Sequence, residues 1–203
     1  MNEQIIGEEE VVKEKQKTFE SEEKRRTIVI SGMPGCGSST VAELLSEKLK
    51  MDFFSLGKYT KKQFQAEGET QSAIKQWSTE LGSSKEFHQK SDTMQQNLAK
   101  HGNIVIESKL GIHFVSKLAD LKVWLEAPIH IRAQRYAKRD NLEYGEALEM
   151  LEKKEAVERK KWKEMYGFDY FDQRKDADLV IDTSNKTPEE IVDQIIRMGK
   201  LFD

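Results

Sequence analysis

The sequence predicts an α/β protein, a three-layer α/β/α sandwich in which helices cover both faces of a five-stranded parallel sheet. Three observations predict it. Five short runs are rich in Val, Ile, Leu or Phe, and polar stretches with apolar residues at helical spacing separate most of them. A glycine-rich turn follows the first run. In such a sheet, ligands are expected beyond the carboxyl ends of the strands.

The predicted elements follow in chain order. The strands cover residues 27–31, 53–56, 103–107, 121–125 and 179–182. A helix is predicted to begin near Ser38, and two or three helices are expected between residues 58 and 101. Pro128 opens a further helix at its first position, and a long helix follows it. Thr187 and Glu190 form a capping box at the start of the last helix.

The first 25 residues differ in composition from the rest of the chain. Glu, Lys and Gln dominate them, and their few apolar residues do not repeat at a sustained helical period. We expect a disordered or marginally helical tail, with a docking arm for a partner as the alternative. The remaining 26–203 are predicted to form one domain, since this length suffices for a proper core.

Charge and composition exclude several classes of protein. The formal net charge is -3, which gives no general attraction to nucleic acid or to an anionic membrane. The apolar runs are too short for a membrane-spanning helix. With Cys36 as the single cysteine, no disulfide framework is possible. The sequence therefore favours a cytoplasmic protein without nucleic acid or membrane partners, and its oligomeric state stays open.

The glycine-rich turn fits the phosphate-binding loop (P-loop) pattern G-x-x-x-x-G-x-[ST] between a strand and a helix. Glycines let the backbone bend so that its N–H groups point at phosphate oxygens, and the helix N-terminus adds positive charge. The predicted ATP-binding residues are Gly32, Met33, Pro34, Gly35, Cys36, Gly37, Ser38, Ser39 and Thr40. Ser39 stands where a hydroxyl ligates Mg²⁺, so we expect MgATP as the nucleotide.

One loop position departs from the pattern, because Ser38 replaces the lysine. A turn without a ligand, or a loop that binds nucleotide without catalysis, is an alternative interpretation. If the protein is a kinase, another cation must supply the missing charge near the β- and γ-phosphates. Cys36 lies within the loop, where a thiol is either a small residue that fits the turn or a redox-sensitive group of lowered pKa.

Arginines predict the catalytic groups. Arg132, Arg135 and Arg139 share one face of the helix after Pro128, and no acidic residue lies between positions 127 and 139. Arginine suits the charge that develops in phosphoryl transfer, so we predict catalytic roles for these three; a solvated basic face is the alternative.

Arg159 in the next helix is the fourth predicted catalytic arginine. It either pairs with Glu155, four residues earlier, or belongs with it to a lid over the phosphates. The predicted lid covers about residues 139–162, with a hinge near residues 140–142. Closing it would exclude water from the site.

With these features in place, the chain resembles the archaeal-type cytidylate kinases over about residues 27–200. The resemblance rests on ADLKVWL at 119–125, RAQR at 132–135, YGFD at 166–169 and DLVIDT at 178–183. The family commonly has a hydroxyl residue at the position of Ser38.

The resemblance implies transfer of the γ-phosphoryl group of ATP to a pyrimidine nucleoside monophosphate, chiefly CMP or dCMP, with Mg²⁺. It implies that about residues 57–101 bind the acceptor, with Lys61 and Lys109 on its phosphate. Asp92 has two interpretations: its carboxylate accepts a hydrogen bond from an amino group of the acceptor's base, or it is an exposed helix residue. Glu107 is expected to contact Mg²⁺ through water.

Three lysines stand where the family tends to have arginine, which lowers the capacity for bidentate phosphate contacts. They are Lys61, Lys109 and Lys154. Two other functions therefore stay open: a non-catalytic nucleotide-binding switch or assembly module, and a small-molecule kinase with a different acceptor.

Overall fold

The sheet has five parallel strands, in the order β2-β3-β1-β4-β5. The computed structural model describes residues 25–64, 79, 82 and 84–201. The strands are β1 (Thr27–Gly32), β2 (Asp52–Ser55), β3 (Ile104–Glu107), β4 (Leu121–Glu126) and β5 (Leu179–Asp182). All five lie within one residue of the predicted bounds, and the predicted fold class is confirmed.

Helices cover both faces of the sheet. They are α1 (Ser38–Leu49), α2 (Leu56–Phe64), α3 (Lys85–His101), α4 (Gly111–Val115), α5 (Ile129–Asp140), α6 (Tyr144–Tyr166) and α7 (Pro188–Met198), with a 3₁₀ helix at Tyr170–Asp176. The predicted capping box at Thr187 is present. No described helix has the length and apolar character to cross a lipid bilayer. Of the predicted tail, only Arg25 is described, and residues 65–78 of the predicted acceptor region also lie outside the described residues.

Alternation along β1 divides the core between the two faces of the sheet. Ile28 and Ile30 pack with α1 and α7, in a cluster that also holds Leu45 and Ile195. Val29 points to the other face, where it packs with residues of α3, α4, α6 and the 3₁₀ helix. Both faces of the central strand are therefore buried, as the apolar run of β1 requires.

The helix pair α5 and α6 has a small core of its own, separate from the two sheet clusters. Ala133 and Tyr136 of α5 pack there against Ala147 and Leu151 of α6. Asn141 ends α5 in the left-handed conformation, with φ 52°. This residue lies within residues 140–142, where the sequence analysis places the hinge of a lid, and that hinge stays a prediction.

The position of the crevice follows from the strand order. β1 lies between β3 and β4, and the helix that leaves β1 (α1) covers one face of the sheet while the helix that leaves β3 (α4) covers the other. Ile30 of β1 is paired with Glu107 of β3, and Gly32 is paired with Leu125 of β4. The carboxyl ends of these three strands therefore meet where the phosphate-binding loop begins.

Candidate active site

The phosphate-binding loop has a fixed shape that depends on glycine. Gly35 and Gly37 have φ angles of 80° and 90°, a region that other L-residues rarely adopt. A Cβ atom on Gly35 would lie 3.1 Å from atoms of both Arg132 and Tyr136. The loop therefore packs directly on α5 at a position where no larger residue fits without displacement.

Cationic side chains bind carbonyl oxygens of the loop. Lys109 Nζ donates to Gly32 O at 2.9 Å, and Arg132 Nη1 donates to Pro34 O at 3.0 Å. These carbonyl oxygens are two residues apart along the chain. Alternate peptide carbonyls of the loop are thus occupied by side chains from the segment after β3 and from α5.

A third carbonyl of the loop, two residues after Pro34, is also bound by side chains. Cys36 O accepts from Thr183 Oγ1 at 3.2 Å and from Arg135 Nη1 at 3.5 Å. Arg135 also donates to Thr183 Oγ1 at 2.9 Å and to Thr183 O at 2.6 Å. The segment after β5 and helix α5 are therefore joined to the loop by one hydrogen-bonded group.

The backbone N–H groups of the loop are left for a ligand. Among the described residues, those of Gly35, Gly37, Ser39 and Thr40 donate to no backbone carbonyl. The last two belong to the first turn of α1, where helical N–H groups point along the axis. Outward carbonyls and inward amides at a helix N-terminus are the arrangement that binds phosphate.

Ser38 binds into the floor of the site. Its hydroxyl donates to Glu107 Oε1 at 2.9 Å, and Ser55 Oγ donates to Glu107 Oε2 at 2.6 Å. All three side chains are buried. The position of the usual loop lysine therefore carries a neutral hydroxyl that bonds a carboxylate, and it adds no positive charge to the loop.

A cavity of about 430 Å³ lies in front of the loop. Residues of helices α2, α3 and α6 form the rest of its wall. The cavity is therefore lined both by the loop and by helices from the acceptor region and the lid. The predicted site residues that line it are Pro34, Gly35, Cys36, Gly37, Ser38, Ser39, Thr40, Lys61, Asp92, Glu107, Lys109, Arg135 and Arg139. Gly32, Met33, Arg132 and Arg159 are not among the lining residues.

Two of the four predicted catalytic arginines contact carboxylates away from the cavity. Arg132 is buried, donates to Ala127 O at 2.8 Å and forms an ion pair with Glu155. Arg159 is paired with Asp169 and Glu155 with Arg132, so of the two alternatives for Arg159 the pair with Glu155 is not formed. No acidic residue lies between positions 127 and 139, but Glu155 of α6 reaches Arg132 from outside that segment.

Arg135 and Arg139 do face the cavity. Arg139 lies over the ring of Tyr136, 4.3 Å from its centroid, and donates to both oxygens of Asp140 at 2.7 Å. Ring and carboxylate hold the guanidinium of Arg139 at the edge of the cavity, and Thr183 holds that of Arg135. Arg135 is therefore held beside the phosphate-binding loop, and Arg139 lines the same cavity.

Asp92 is buried and lines the cavity from α3. Tyr166 Oη donates to its Oδ2 at 2.6 Å. Burial raises the pKa of Asp92 to about 6, and the hydrogen bond from Tyr166 opposes that rise. The alternative of an exposed helix residue is therefore wrong, and the carboxyl group changes its charge close to neutral pH.

Helix α6 presents a ladder of residues four apart to the cavity. Lys154, Glu158 and Trp162 all line it. Lys154 Nζ donates to Tyr136 Oη at 3.2 Å. Burial raises the pKa of Glu158, and the positive charges of Lys154 and Lys109 partly offset that rise. Sequence analysis did not identify Glu158; its spacing of four from Lys154 and Trp162 was the available signal.

The thiol of Cys36 is inside the protein rather than in the cavity mouth. It is buried, and burial raises the pKa of the thiol. The alternative of a redox-sensitive cysteine with a lowered pKa is therefore wrong. Cys36 is the small residue that fits the turn.

A metal ion at this site would depend on the nucleotide. In the described ranges, no cluster of three or more His, Cys, Asp or Glu residues could hold a metal ion. Ser39 at the first turn of α1 lines the cavity. One hydroxyl together with phosphate oxygens and water suits Mg²⁺, which keeps several waters and takes few protein ligands.

Comparison with known proteins identifies close relatives. The model of the cytidylate kinase-like family matches residues 27–185. A cytidylate kinase from Ignicoccus hospitalis is 36% identical over 171 residues, which cover 84% of this chain and 97% of that protein. A cytidylate kinase from Methanocaldococcus jannaschii is 34% identical over 160 residues, 77% of this chain and 88% of that protein.

The fold is shared with solved structures of lower sequence identity. A shikimate kinase from Bacteroides thetaiotaomicron superimposes with a TM-score of 0.57 at 16% identity, covering 86% of this chain and 98% of that chain. At this identity the match concerns the fold alone.

Proposed function

Because the chain belongs to the cytidylate kinase-like family, we propose that its cavity places MgATP against CMP or dCMP for phosphoryl transfer. It is a nucleoside monophosphate kinase, and the products are ADP and the nucleoside diphosphate. One observation carries the assignment of the site: a single cavity joins the phosphate-binding loop to Asp92 and Lys61 on the opposite wall.

The donor nucleotide binds at the loop. The backbone N–H groups of Gly35, Gly37, Ser39 and Thr40 hold the phosphates, and the N-terminus of α1 adds its dipole. Ser39 and the phosphates hold Mg²⁺, which screens the phosphate charge when bound. Glu107 already accepts hydrogen bonds from Ser38 and Ser55, and its remaining lone pairs can accept from a metal-bound water.

Transfer requires no covalent intermediate with the protein. An oxygen of the acceptor phosphate attacks the γ-phosphorus in line, while the bridging oxygen leaves with ADP. Catalysis then comes from positioning and from charge stabilisation. Arg135 and Arg139 supply that stabilisation, since both line the cavity beside the loop. Arg132 acts as a positioning residue, because its guanidinium donates to Pro34 O and does not line the cavity.

The acceptor binds between α2, α3 and α6. Lys61 contacts its phosphate, and Asp92 contacts the base. The exocyclic amino group of cytosine is a hydrogen-bond donor, whereas uracil has an acceptor oxygen at the same position. Above a pH of about 6 Asp92 is ionised, so it accepts from cytosine and repels that oxygen of uracil.

Residues 57–101 form the acceptor region in this proposal, and about residues 139–162 form the lid. Helix α5 is fixed to the phosphate-binding loop, and α6 packs on it through the small core that the two helices share, so α6 is the part that moves over the nucleotides. Closing it brings Lys154 and Glu158 toward the acceptor and excludes water, which suppresses ATP hydrolysis.

An ADP-release assay across CMP, dCMP, UMP, AMP and no acceptor tests the proposal. We expect ADP release that depends on CMP or dCMP, with UMP poorer and AMP poorest. Binding of ATP without turnover in any mixture would instead support a non-catalytic module. Turnover only with a non-nucleotide acceptor would contradict the assignment of the acceptor.

A further inference from the structure

Tyr136 of α5 lies between groups that different parts of the chain bring to the cavity. Its side chain is only 2% exposed, and it lines the cavity. A Cβ atom on Gly35 would lie 3.1 Å from Cδ2 and Cε2 of the ring, so one edge of the ring packs on the phosphate-binding loop. Close packing on both sides gives the ring a fixed place relative to the loop backbone.

The face of the same ring holds Arg139. The two residues are three apart in α5, so they share one face of the helix. The guanidinium carbon lies 4.3 Å from the ring centroid, and the quadrupole of the ring attracts its positive charge. Asp140 accepts from Nε and Nη2 of the same guanidinium. Ring and carboxylate together fix both the position and the plane of this group.

The hydroxyl of the ring holds a second cation, which comes from another helix. Lys154 Nζ of α6 donates to Tyr136 Oη at 3.2 Å and lies 5.9 Å from the ring centroid. Lys154 is buried, and it lines the cavity together with Arg139. Tyrosine can hold two cations because it has a π face and a hydroxyl oxygen that accepts hydrogen bonds. Because the ring is neutral, it orients both cations without adding negative charge.

Resting on the kinase function proposed above, we propose that Tyr136 is a positioning residue for phosphoryl transfer. It sets the places of Arg139 and Lys154 relative to the phosphate-binding loop, and these two cations act on the nucleotides. A displacement of about 1 Å is enough to weaken what a charged group contributes to a transition state. Loss of the hydroxyl should therefore impair turnover through Lys154, and loss of the ring should impair it through both cations.

Two substitutions at position 136 remove the two contacts in turn. Tyr136→Phe keeps the ring face and loses the hydroxyl, so kcat/KM should fall about fivefold. Tyr136→Leu loses both, so kcat/KM should fall about 30-fold or more. Steady-state kinetics with MgATP and the acceptor that the ADP-release assay identifies measure both values. A folded Tyr136→Leu variant with the kcat/KM of wild type would overturn the proposal.

Double-mutant cycles separate positioning from packing. In a Lys154→Met background, Tyr136→Phe should cost less than about twofold in kcat/KM, because the partner of the hydroxyl is already gone. In an Arg139→Ala background, Tyr136→Leu should cost no more than Tyr136→Phe costs in wild type. Losses that are fully additive in both cycles would mean that Tyr136 acts only through the core of the helix pair, and the proposal would fail.

Leu148→Ala is the matched control for packing. Leu148 packs against the same small core as Tyr136, and it is not among the residues that line the cavity. The variant should lose stability in urea unfolding and keep the kcat/KM of wild type. If it loses as much kcat/KM as Tyr136→Leu does, packing of the helix pair explains both results and the positioning role is refuted.

The position of Arg139 can also be measured without turnover. Protons close to the face of an aromatic ring are shielded by its ring current. In proton–nitrogen NMR spectra, the Nε–H signal of Arg139 should therefore move downfield in Tyr136→Leu and stay in place in Tyr136→Phe. An unchanged signal in a folded Tyr136→Leu variant would show that the ring does not hold the guanidinium. Because this measurement needs no nucleotide, it decides the positioning role even if the ADP-release assay refutes CMP as the acceptor.

Discussion

The two walls of the cavity are built by different means. On the donor side, left-handed glycines and bound carbonyl oxygens fix a backbone, and amides do the binding. On the acceptor side, the binding groups are buried side chains whose charge depends on their surroundings, chiefly Asp92 and Glu158. Donor binding should therefore depend on shape and little on pH, while acceptor binding should depend strongly on ionisation.

The largest effect is expected from a change of loop shape. Gly35→Val places a β-branched residue at φ 80° and its Cβ 3.1 Å from Arg132 and Tyr136. Strain of about 1–3 kcal/mol and the displaced loop should weaken MgATP binding by about 100-fold, measured by calorimetry. Gly145→Val is the control, because a Cβ there meets nothing within 4 Å. Full MgATP affinity in a folded Gly35→Val variant would show that the loop shape is not required.

The next largest effect is a difference in kcat between variants of an arginine that lines the cavity and of one that does not. Arg135→Ala should lower kcat by about ten- to 100-fold while MgATP still binds, because charge stabilisation is lost in the transition state. Arg159→Ala, which removes an exposed partner of Asp169, should change kcat less than about twofold. Steady-state kinetics with CMP measure both. An equal loss of kcat in the two variants would contradict the assignment of catalytic roles to the arginines that line the cavity.

Asp92 tests the dependence of the acceptor wall on pH. The pKa of Asp92 is about 6 in the folded protein, so the KM for CMP should fall as pH rises through about 6. In Asp92→Asn the KM should be higher at pH 8 and flat over this range. A pH profile of KM from 5 to 8 measures the difference, and an unchanged profile in the variant would remove Asp92 from acceptor binding.

The same group makes a prediction about stability. The folded pKa of about 6 lies above the ordinary value of 3.8, so the folded state holds the proton more tightly. The contribution of Asp92 to the free energy of unfolding is therefore favourable at low pH and is lost as pH rises from about 4 through about 6. Asp92→Asn should be more stable than wild type at pH 8 and similar at pH 4, by urea unfolding. If the variant instead gains more stability over wild type at pH 4 than at pH 8, the sign is reversed and the argument from burial is contradicted.

The smallest effect is expected from the hydrogen bond between Tyr166 and Asp92 on the acceptor wall. The hydroxyl of Tyr166 holds the pKa of Asp92 down, so Tyr166→Phe should move the midpoint of the KM profile upward. At pH 7 the KM for CMP should rise about two- to threefold. A downward shift of the midpoint would mean that the hydrogen bond favours the protonated carboxyl.

The sequence predicted the sheet closely and the site partly. Strand bounds agree within one residue because buried parallel strands are continuous apolar runs between breakers. Helix α4 and the 3₁₀ helix were missed, since five to seven residues are too few to show a period. Short motifs also located the loop, because its function depends on backbone geometry that only glycine permits.

Side-chain partners were the part that could not be predicted. The carboxylate that pairs with Arg132 is 23 residues away, on another helix. Glu107 accepts from Ser38 and Ser55, which are 69 and 52 residues from it in sequence. A search for acids near the arginines in sequence cannot find such partners, because packing between elements decides them.

The ion pair between Arg132 and Glu155 has a consequence for how the two substrates meet. Arg132 holds Pro34 O in the loop, and Glu155 lies on α6, the helix that carries Lys154 and Glu158. A shift of α6 when the acceptor binds would therefore act on the loop through this ion pair, and a shift of the loop when ATP binds would act on α6. Linkage makes the effect reciprocal: the factor by which CMP changes the dissociation constant of ATP equals the factor by which ATP changes that of CMP.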